Sequence, residues 1–408
     1  MMPVRMLARK SRSSHPRKFW PHYVVLLLLP LLLCFQIMVA IVALPLALRG
    51  HDDFLQLYVG GYMIRTGHAA ELYDYDTQQR FEETVVPSGA QFVLPINHLA
   101  FEELLFVPLS LFTYRVAYWV FMAFNCSLLI LCAELLRHRP EVQPDQWKWF
   151  PALLIPAFFP ISRALEKGQD SIIMLTLLAA ALWALDREKE FAAGLLVGIG
   201  IFKFQIVIPI AILFLMWRHW RFLRGFALSS VAAGLVSLWL VRLGGARDYA
   251  RMLLSMSLRL TSEADMHRYA THPRDMINLR GLVSGIFDGK LPHGYVQFLV
   301  GACSIAVLLA AARQRPSLTL AITAGSLVSY HFIVHDASIL IIPLNAALCS
   351  RSAWTGAVAA LLLVVSLAAV IPQCGYLAAI PLLALFILSV RSADLQASLA
   401  GVSTHARN

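Results

Sequence analysis

Charged residues are scarce in this chain. Of its 408 residues, 14% are Asp, Glu, Lys or Arg, whereas 59% are hydrophobic. A soluble globular domain carries roughly 25% charged residues, so about half of the expected surface charge is missing. This composition excludes an ordinary soluble enzyme, a disordered chain and a nucleic-acid-binding protein. The mean hydropathy of +0.67 predicts a protein whose main partner is the membrane bilayer.

Recognisable catalytic and metal-binding motifs are also absent from the sequence. It contains no His-Glu-x-x-His, no cysteine–histidine zinc spacing, no Gly-x-Ser-x-Gly and no glycine-rich phosphate loop. The six cysteines all fall inside apolar runs, which predicts buried, unpaired thiols. No internal repeat of the kind found in inverted-repeat transporters is evident.

The N-terminal region predicts a membrane anchor and its orientation. Residues 1–22 are basic and contain no acid, and the run from Tyr23 to Leu48 contains no charge. About 20 apolar residues span the hydrocarbon core, and the run is too long for the apolar region of a cleavable signal peptide. Because basic flanks stay in the cytoplasm, residue 49 onward is expected to begin outside the membrane.

Further apolar segments alternate with short basic turns along the rest of the chain. They predict an all-α polytopic membrane protein with about 11–12 transmembrane helices, several of them too short to span alone without tilt or burial. The positive-inside rule accounts for much of the net charge of +10. The predicted organisation is a basic cytoplasmic tail (1–22), a single transmembrane catalytic domain (23–391) and a cytoplasmic tail (392–408). Most acids and histidines fall on the predicted outer side. That side includes two larger extracytoplasmic segments, 49–100 and 242–292, and the expected location is the plasma (inner) membrane.

Five polar clusters fall on the predicted outer side of the membrane. They are Asp52–Asp53, Glu166–Asp170, Lys203–Gln205, Asn278–Gly281 and His331–Asp336. Four of them have a structural alternative: the aspartates could cap a helix, Lys203 could extend to the interface, the Asn278–Gly281 cluster could belong to a solvated loop, and His335 with Asp336 could begin a helix. Independent solvated loops would not be expected to share one side, so the agreement of all five favours a functional site.

The chemistry of these residue types suits an anionic substrate. A carboxylate at a membrane boundary can have a raised pKa and act as a general base. The ammonium of Lys203 suits a compact anion such as a phosphate. A basic, histidine-containing stretch of the second outer segment has the matching charge; its members are Arg259, His267, Arg268, His272 and Arg274.

An ordered set of short motifs resembles glycosyltransferase family 87, whose members have the C-type glycosyltransferase fold and include polyprenol-phosphate-mannose-dependent mannosyltransferases. The motifs span roughly residues 50–345. In chain order they are Asp53–Phe54, Tyr58, Gly61, Gly67, Leu72–Asp74, Pro95–Asn97, Pro108–Leu109, Ala117–Tyr118, Asn125, Gly168–Gln169, Lys203–Gln205, Asn278–Gly281 and His335–Asp336. The chain departs from the family at Leu94–His98, where the family more often shows Asn followed by prolines.

The resemblance implies a specific reaction and specific residues. A hexose, in the first instance mannose, would pass from a polyprenyl phosphate to a lipid or glycan acceptor on the extracytoplasmic face, with inversion. Asp53 matches the family's catalytic carboxylate. Asp52, its neighbour, and His335 are the other two catalytic candidates. No cofactor and no metal are implied, because cationic side chains can neutralise a monophosphate leaving group. The residues expected to bind substrate are Lys203, Gln205, Arg280, Asn278, Gln169, Lys167 and Tyr58.

Two other functions are compatible with the composition. A transporter or flippase of a lipid-linked sugar, or of another anion, would use the same basic outer cavity, but it should also need polar residues along a path to the cytoplasm. Few charged residues fall mid-span in the inner half. A non-catalytic assembly subunit would leave the Asp52–Asp53 and His335–Asp336 pairs without a role.

Overall fold

The computed structural model describes residues 20–86, 95–137, 148–258, 272–350 and 352–391. Within these ranges the chain contains α- and 3-10 helices and no β-strand. Both predicted cytoplasmic tails lie outside the described residues, except for residues 20–22. Arg259, His267 and Arg268 also lie outside them.

Seventeen helical segments are labelled α1 to α17 below. They are α1 Trp20–Ala47, α2 Phe54–Arg65, α3 Tyr75–Val85, α4 Ala100–Glu103, α5 Tyr114–Arg137, α6 Phe150–Ala157, α7 Phe159–Glu166, α8 Ser171–Leu185, α9 Glu190–Ile199, α10 Phe204–Met216, α11 Trp220–Leu258, α12 Leu279–Phe287, α13 His293–Ala312, α14 Leu318–Val328, α15 Asp336–Leu348, α16 Ala353–Val365 and α17 Gly375–Arg391.

The helices confirm an all-α polytopic membrane protein. Six segments are long and apolar enough to cross a membrane: Tyr23–Ala47, Tyr114–Arg137, Glu190–Met216, Trp220–Ser255, His293–Ala312 and Ala353–Val370. Four shorter apolar helices accompany them, namely α8, α14, α15 and α17. Large apolar side chains such as Leu27, Trp239 and Phe298 are exposed on the long helices, as a lipid-facing surface requires.

The segment Glu190–Met216 turns back on itself between α9 and α10. The 3-10 turn Gly200–Lys203 interrupts the helix, and Glu190 Oε1 lies 3.2 Å from Nδ1 of His219 just beyond α10. A straight helix rises 1.5 Å per residue, so its two ends could not meet in this way. The segment therefore has the geometry of the two short apolar crossings expected at 191–201 and 206–217.

Small residues allow α9 and α11 to pack closely side by side. A Cβ added at Gly194 would lie 1.9 Å from the carbonyl oxygen of Phe222, and one at Gly225 would lie 2.1 Å from that of Phe191. The hydroxyl of Ser229 also donates to the carbonyl oxygen of Leu195 at 2.9 Å. This contact of backbones through small residues is typical of helices packed within a membrane.

The two ends of the bundle differ in their residues. One end holds a cavity of about 530 Å³ whose lining includes Glu190, His219, Arg221 and Pro316, which lie in the short turns between helices or in the first helical residues after them. The opposite end carries Asp53, Lys167, Lys203 and His335 in mutual proximity, as described in the next subsection. The turns and polar clusters therefore separate between the ends as the hydropathy alternation predicts.

The described part of the predicted first outer segment contains α2 and α3 and packs on a second, smaller apolar core. The ring of Phe54 stacks on Phe121 with centroids 5.5 Å apart, and Tyr73 contacts Tyr249 at 4.6 Å between ring centroids. Tyr249 belongs to the end of α11 beyond Arg242, whose φ of 58° marks a kink in that helix. The predicted second outer segment begins at this kink, and the two outer segments thus contact each other.

The cysteines are unpaired, as expected, but they are not all buried. Cys132 is buried, whereas Cys34, Cys126 and Cys303 are exposed on α1, α5 and α13. The expectation of burial was wrong for these three. In a bilayer the outward face of an apolar helix contacts lipid, so an apolar run does not by itself imply burial within the protein.

Candidate active site

Asp53 stands where the chain leaves α1 and enters α2. Gly50 has a φ of +80° and makes the turn that separates the two helices. The amide of Phe54 donates to the carbonyl oxygen of Lys167 at 2.9 Å, which fixes this turn against the end of α7. The carboxylate of Asp53 makes no capping hydrogen bond to α2. Its position at the helix start is therefore not explained by capping.

Lys167 lies between the two aspartates. Its Nζ is 2.8 Å from Oδ1 of Asp52 and 3.4 Å from Oδ2 of Asp53. The backbone around it is held by α5, because the hydroxyl of Tyr118 donates to the carbonyl oxygen of Glu166 at 2.6 Å. Gly168 has a φ of +61°, and a Cβ there would come within 2.7 Å of Phe54. Glycine is thus required for Lys167 to reach Asp52 and Asp53.

His335 contacts Asp53 from the other half of the chain. Its Nδ1 is 3.5 Å from Oδ2 of Asp53, and its Nε2 is 3.9 Å from Oδ1 of Asp336. The imidazole is buried and makes no capping bond to α15. The side chain of Gln169 also hydrogen-bonds to Asp53. One carboxylate is thus contacted by a lysine, a histidine and a glutamine from two separate chain segments.

The charges around Asp53 determine its protonation. Burial acts to raise the pKa of Asp53, but Lys167, His335 and a hydrogen bond from Gln169 outweigh it and lower the pKa to about 2. Burial lowers the pKa of His335 to about 4 despite the nearby Asp336 and Asp53. For Asp52, burial dominates over Lys167 and the pKa is raised. The raised pKa expected at this boundary therefore applies to Asp52 and is wrong for Asp53.

Lys203 is enclosed by two other carboxylates. Its Nζ is 2.9 Å from Oδ1 of Asp170 and 2.8 Å from Oδ1 of Asp336. Ser171 Oγ donates to the same oxygen of Asp336 at 3.2 Å. The lysine side chain is 3% exposed, so it does not extend to the interface. A buried ammonium needs such partners.

A further trio adjoins Lys203 through Asp170. Nδ1 of His98 lies 3.1 Å from Oδ2 of Asp170 and 2.7 Å from Oε2 of Glu102. Glu102 was not singled out in the sequence, and His98 was noted only for its departure from the family pattern. The one local signal was the spacing of His98 and Glu102, which places them one helical turn apart.

The remaining predicted substrate-binding residues have contacts of their own. The hydroxyl of Tyr58 donates to the carbonyl oxygen of Phe112 at 2.7 Å. Asn278 caps α12 at Gly281 and donates to the carbonyl oxygen of Ser329 at 2.7 Å.

Arg280 lies over the ring of Tyr330, with 4.0 Å between its Cζ and the centroid. Together with Asn278 it brings α12 against the segment that leads to His335. Gln205 is half-buried in the first turn of α10. The structure therefore joins Asp52, Asp53, Lys167, Gln169 and His335 directly, and Lys203 through Asp336.

Comparison with known proteins gives one match. The family model of glycosyltransferase family 87 matches residues 101–343, more than half of the chain. The matched region contains Lys167, Lys203, Arg280 and His335 and begins after Asp53. No curated protein and no solved structure gives a significant match to the chain.

Proposed function

The chain belongs to glycosyltransferase family 87 and is a membrane glycosyltransferase, and on that premise we propose its donor, acceptor and mechanism. The donor is a polyprenyl-phosphate hexose, with mannose as the first sugar to test. The acceptor is a hydroxyl of a lipid or glycan on the extracytoplasmic face of the plasma (inner) membrane. The lipid-linked sugar is a co-substrate, and the transfer step uses no other cofactor.

Asp53 is proposed as the general base. The acceptor oxygen forms a bond to the anomeric carbon as the bond from that carbon to the phosphate oxygen breaks, which inverts the configuration. The acceptor proton passes to the carboxylate of Asp53, and the polyprenyl phosphate leaves with the bonding electron pair. The observation that supports this role is the placement of one ionised carboxylate against both Lys167 and His335.

The low pKa of Asp53 suits a base whose strength increases when the donor binds. A pKa of about 2 keeps the carboxylate ionised near neutral pH. A donor phosphate beside Lys167 would share the ammonium, which weakens its interaction with Asp53 and raises the basicity of that carboxylate. His335, with a pKa of about 4, is neutral at that pH. It can orient Asp53 without competing for the phosphate.

Cationic side chains are proposed to stabilise the leaving phosphate. Lys167 is the first of them, since its side chain is 21% exposed and already contacts the base. Arg280 is proposed as a second direct ligand. Lys203 is proposed to act indirectly, through Asp336, because Asp170 and Asp336 already neutralise its ammonium. Gln169, Gln205, Asn278 and Tyr58 are proposed to shape the same substrate site through the contacts described above.

Family membership favours this enzyme over a transporter or flippase. The acidic and basic side chains around Asp53 and Lys203 also pair with each other at one end of the bundle, as expected for a single reaction centre. A transport path would need polar groups along its whole length.

The proposal is tested with the purified protein in lipid nanodiscs and a radiolabelled polyprenyl-phosphate mannose, with lipid extract as the source of acceptor. We expect label to move from the donor into a new product, and no transfer from a nucleotide-linked mannose. Transfer from the nucleotide sugar alone would contradict the proposed donor. Comparison of envelope lipids between a deletion strain and its parent then identifies the missing product.

A further inference from the structure

Three side chains next to the base cluster have the composition and spacing of a metal site. Nδ1 of His98 and one carboxylate oxygen each from Glu102 and Asp170 all lie within 4.8 Å of one another. All three residues are buried, with 8%, 6% and 0% of their surface exposed. They come from the segment before α4, from α4 itself and from the start of α8. A ligand bound by all three would therefore tie two distant chain segments together.

The region holds more negative than positive charge. Glu102, Glu103, Asp170 and Asp336 are buried close to one another, and Lys203 is the permanent cation among them. If His98 is also protonated and all four acids are ionised, two negative charges remain uncompensated away from water. Burying unpaired charge away from water is unfavourable, so the arrangement favours either proton uptake or a bound cation.

Glu103 is a further buried acid beside these three side chains. Its side chain is fully buried, and neither carboxylate oxygen has a hydrogen-bond partner among the described residues. It interacts electrostatically with Glu102, His98 and Asp170. Oε1 of Glu102 is likewise buried without a hydrogen-bond partner in the described part of the chain. A carboxylate with no donor in such a place is stabilised by positive charge nearby.

We propose that His98, Glu102 and Asp170 bind one divalent transition-metal cation, of the class of Zn²⁺ or Mn²⁺. One imidazole nitrogen with two carboxylates is a donor set that such cations accept, whereas Mg²⁺ and Ca²⁺ prefer oxygen ligands. The cation takes the place of the proton shared between His98 and the two acids. Asp170 then bridges the metal and Lys203 through its two oxygens. The ion is structural and holds the His98 segment behind the base, so the transfer step does not pass through it.

The experiment measures binding of Mn²⁺ alone to the full-length protein in nanodiscs after removal of metal by a chelator. Binding is measured as the decrease of the electron paramagnetic resonance signal of free Mn²⁺. Displacement of bound Mn²⁺ by Zn²⁺ shows that both cations occupy the same site. We expect one saturable site per chain, with affinity reduced on the order of tenfold to a hundredfold or more in His98→Ala and in Glu102→Gln. Sugar transfer is not measured, so this test can fail while the proposed function stands, and the reverse.

A matched control exists on the surface. His68 and Glu71 form an exposed pair with 3.1 Å between Nδ1 and Oε2, and we expect His68→Ala and Glu71→Gln to bind Mn²⁺ as the wild type does. If the His98 and Glu102 variants fail to fold, the wild type alone decides. Its thermal midpoint should rise with added Mn²⁺ or Zn²⁺ and fall on chelation. The proposal would be overturned if the wild type showed no saturable Mn²⁺ binding. It would also be overturned if the surface variants lost as much Mn²⁺ affinity as the His98 and Glu102 variants, and His98, Glu102 and Asp170 would then share a proton instead.

Discussion

The carboxylate of Asp53 lies 3.5 Å from Nδ1 of His335, although one residue follows the first membrane helix and the other precedes α15. The same carboxylate oxygen is 3.4 Å from Nζ of Lys167. Asp53 is therefore contacted by a neutral imidazole and by a permanent cation at once.

The pH dependence of transfer should follow His335 rather than an ordinary histidine. Above its pKa of about 4 the imidazole is neutral and Asp53 is free to accept a proton. As the pH falls through that value, the imidazolium forms and pairs with Asp53, which weakens the base. We expect kcat/KM to be flat from about pH 6 to about pH 8 and to fall toward pH 4.

The variant His335→Gln removes the titrating group and provides the control. Its acidic limb should shift to lower pH, to the pKa of Asp53, which Lys167 and Gln169 still lower after the contribution of His335 is lost. An acidic limb near the ordinary histidine value of roughly 6.5 in the wild type would show that His335 is not buried as described.

Loss of Lys203 should lower the stability of the fold more than it impairs use of the donor. Lys203→Met leaves Asp170 and Asp336 buried without their ammonium, and breaking a buried pair in this way costs about 3–5 kcal/mol. Thermal or denaturant unfolding in nanodiscs measures the loss. The exposed Lys189→Met is the matched control and should unfold as the wild type does. Equal stability of both variants would mean that Lys203 is not enclosed by these acids.

Loss of Arg280 should instead weaken donor binding. A charge-assisted hydrogen bond contributes roughly 1.5–3 kcal/mol, so Arg280→Met should raise the donor concentration needed for half-maximal rate about tenfold to a hundredfold. Acceptor dependence should change little, because the acceptor approaches from the opposite side of the anomeric carbon. Donor titration of the purified variant is the measurement. An unchanged donor dependence would leave Arg280 with a structural role, in which it stacks on the ring of Tyr330 and donates to the carbonyl oxygen of that residue.

The orientation in the membrane is testable by cysteine labelling in a background without native cysteines. A cysteine in place of Ala70 should react with an impermeant maleimide in intact cells, as should one at position 265. One in place of Glu188 should react only after permeabilisation, because it lies in a short turn at the other end of the bundle. The reverse pattern would place the site in the cytoplasm.

The sequence predicted that the protein is a helical membrane protein and that its polar clusters lie at the same end of the bundle, because both properties depend on hydropathy. Residues such as Asp53, Lys167 and His335 fall between apolar runs, and alternation of the runs brings them to one end. Hydropathy carries no information on which acid meets which base. The enclosure of Lys203 by Asp170 and Asp336, and the His98–Glu102 pair behind it, depend on how helices rotate about their axes.

The pKa of Asp53 shows the same limit of sequence reasoning. A carboxylate at a membrane boundary is expected to have a raised pKa through burial, and this holds for Asp52. For Asp53 the outcome depends on Lys167 and His335, which approach from elsewhere in the chain. Charges that come together only in the folded protein therefore reverse the local expectation.

A comparison of Asp53→Asn with Asp52→Asn in nanodiscs measures whether Asp53 accepts the acceptor proton, as proposed. Both variants keep the size of the side chain, and both lose one contact of Lys167. We expect Asp53→Asn to insert and fold normally but to lose sugar transfer by a factor on the order of 10²–10⁴, and Asp52→Asn to lose less. An active Asp53→Asn beside an inactive Asp52→Asn would contradict this proposal.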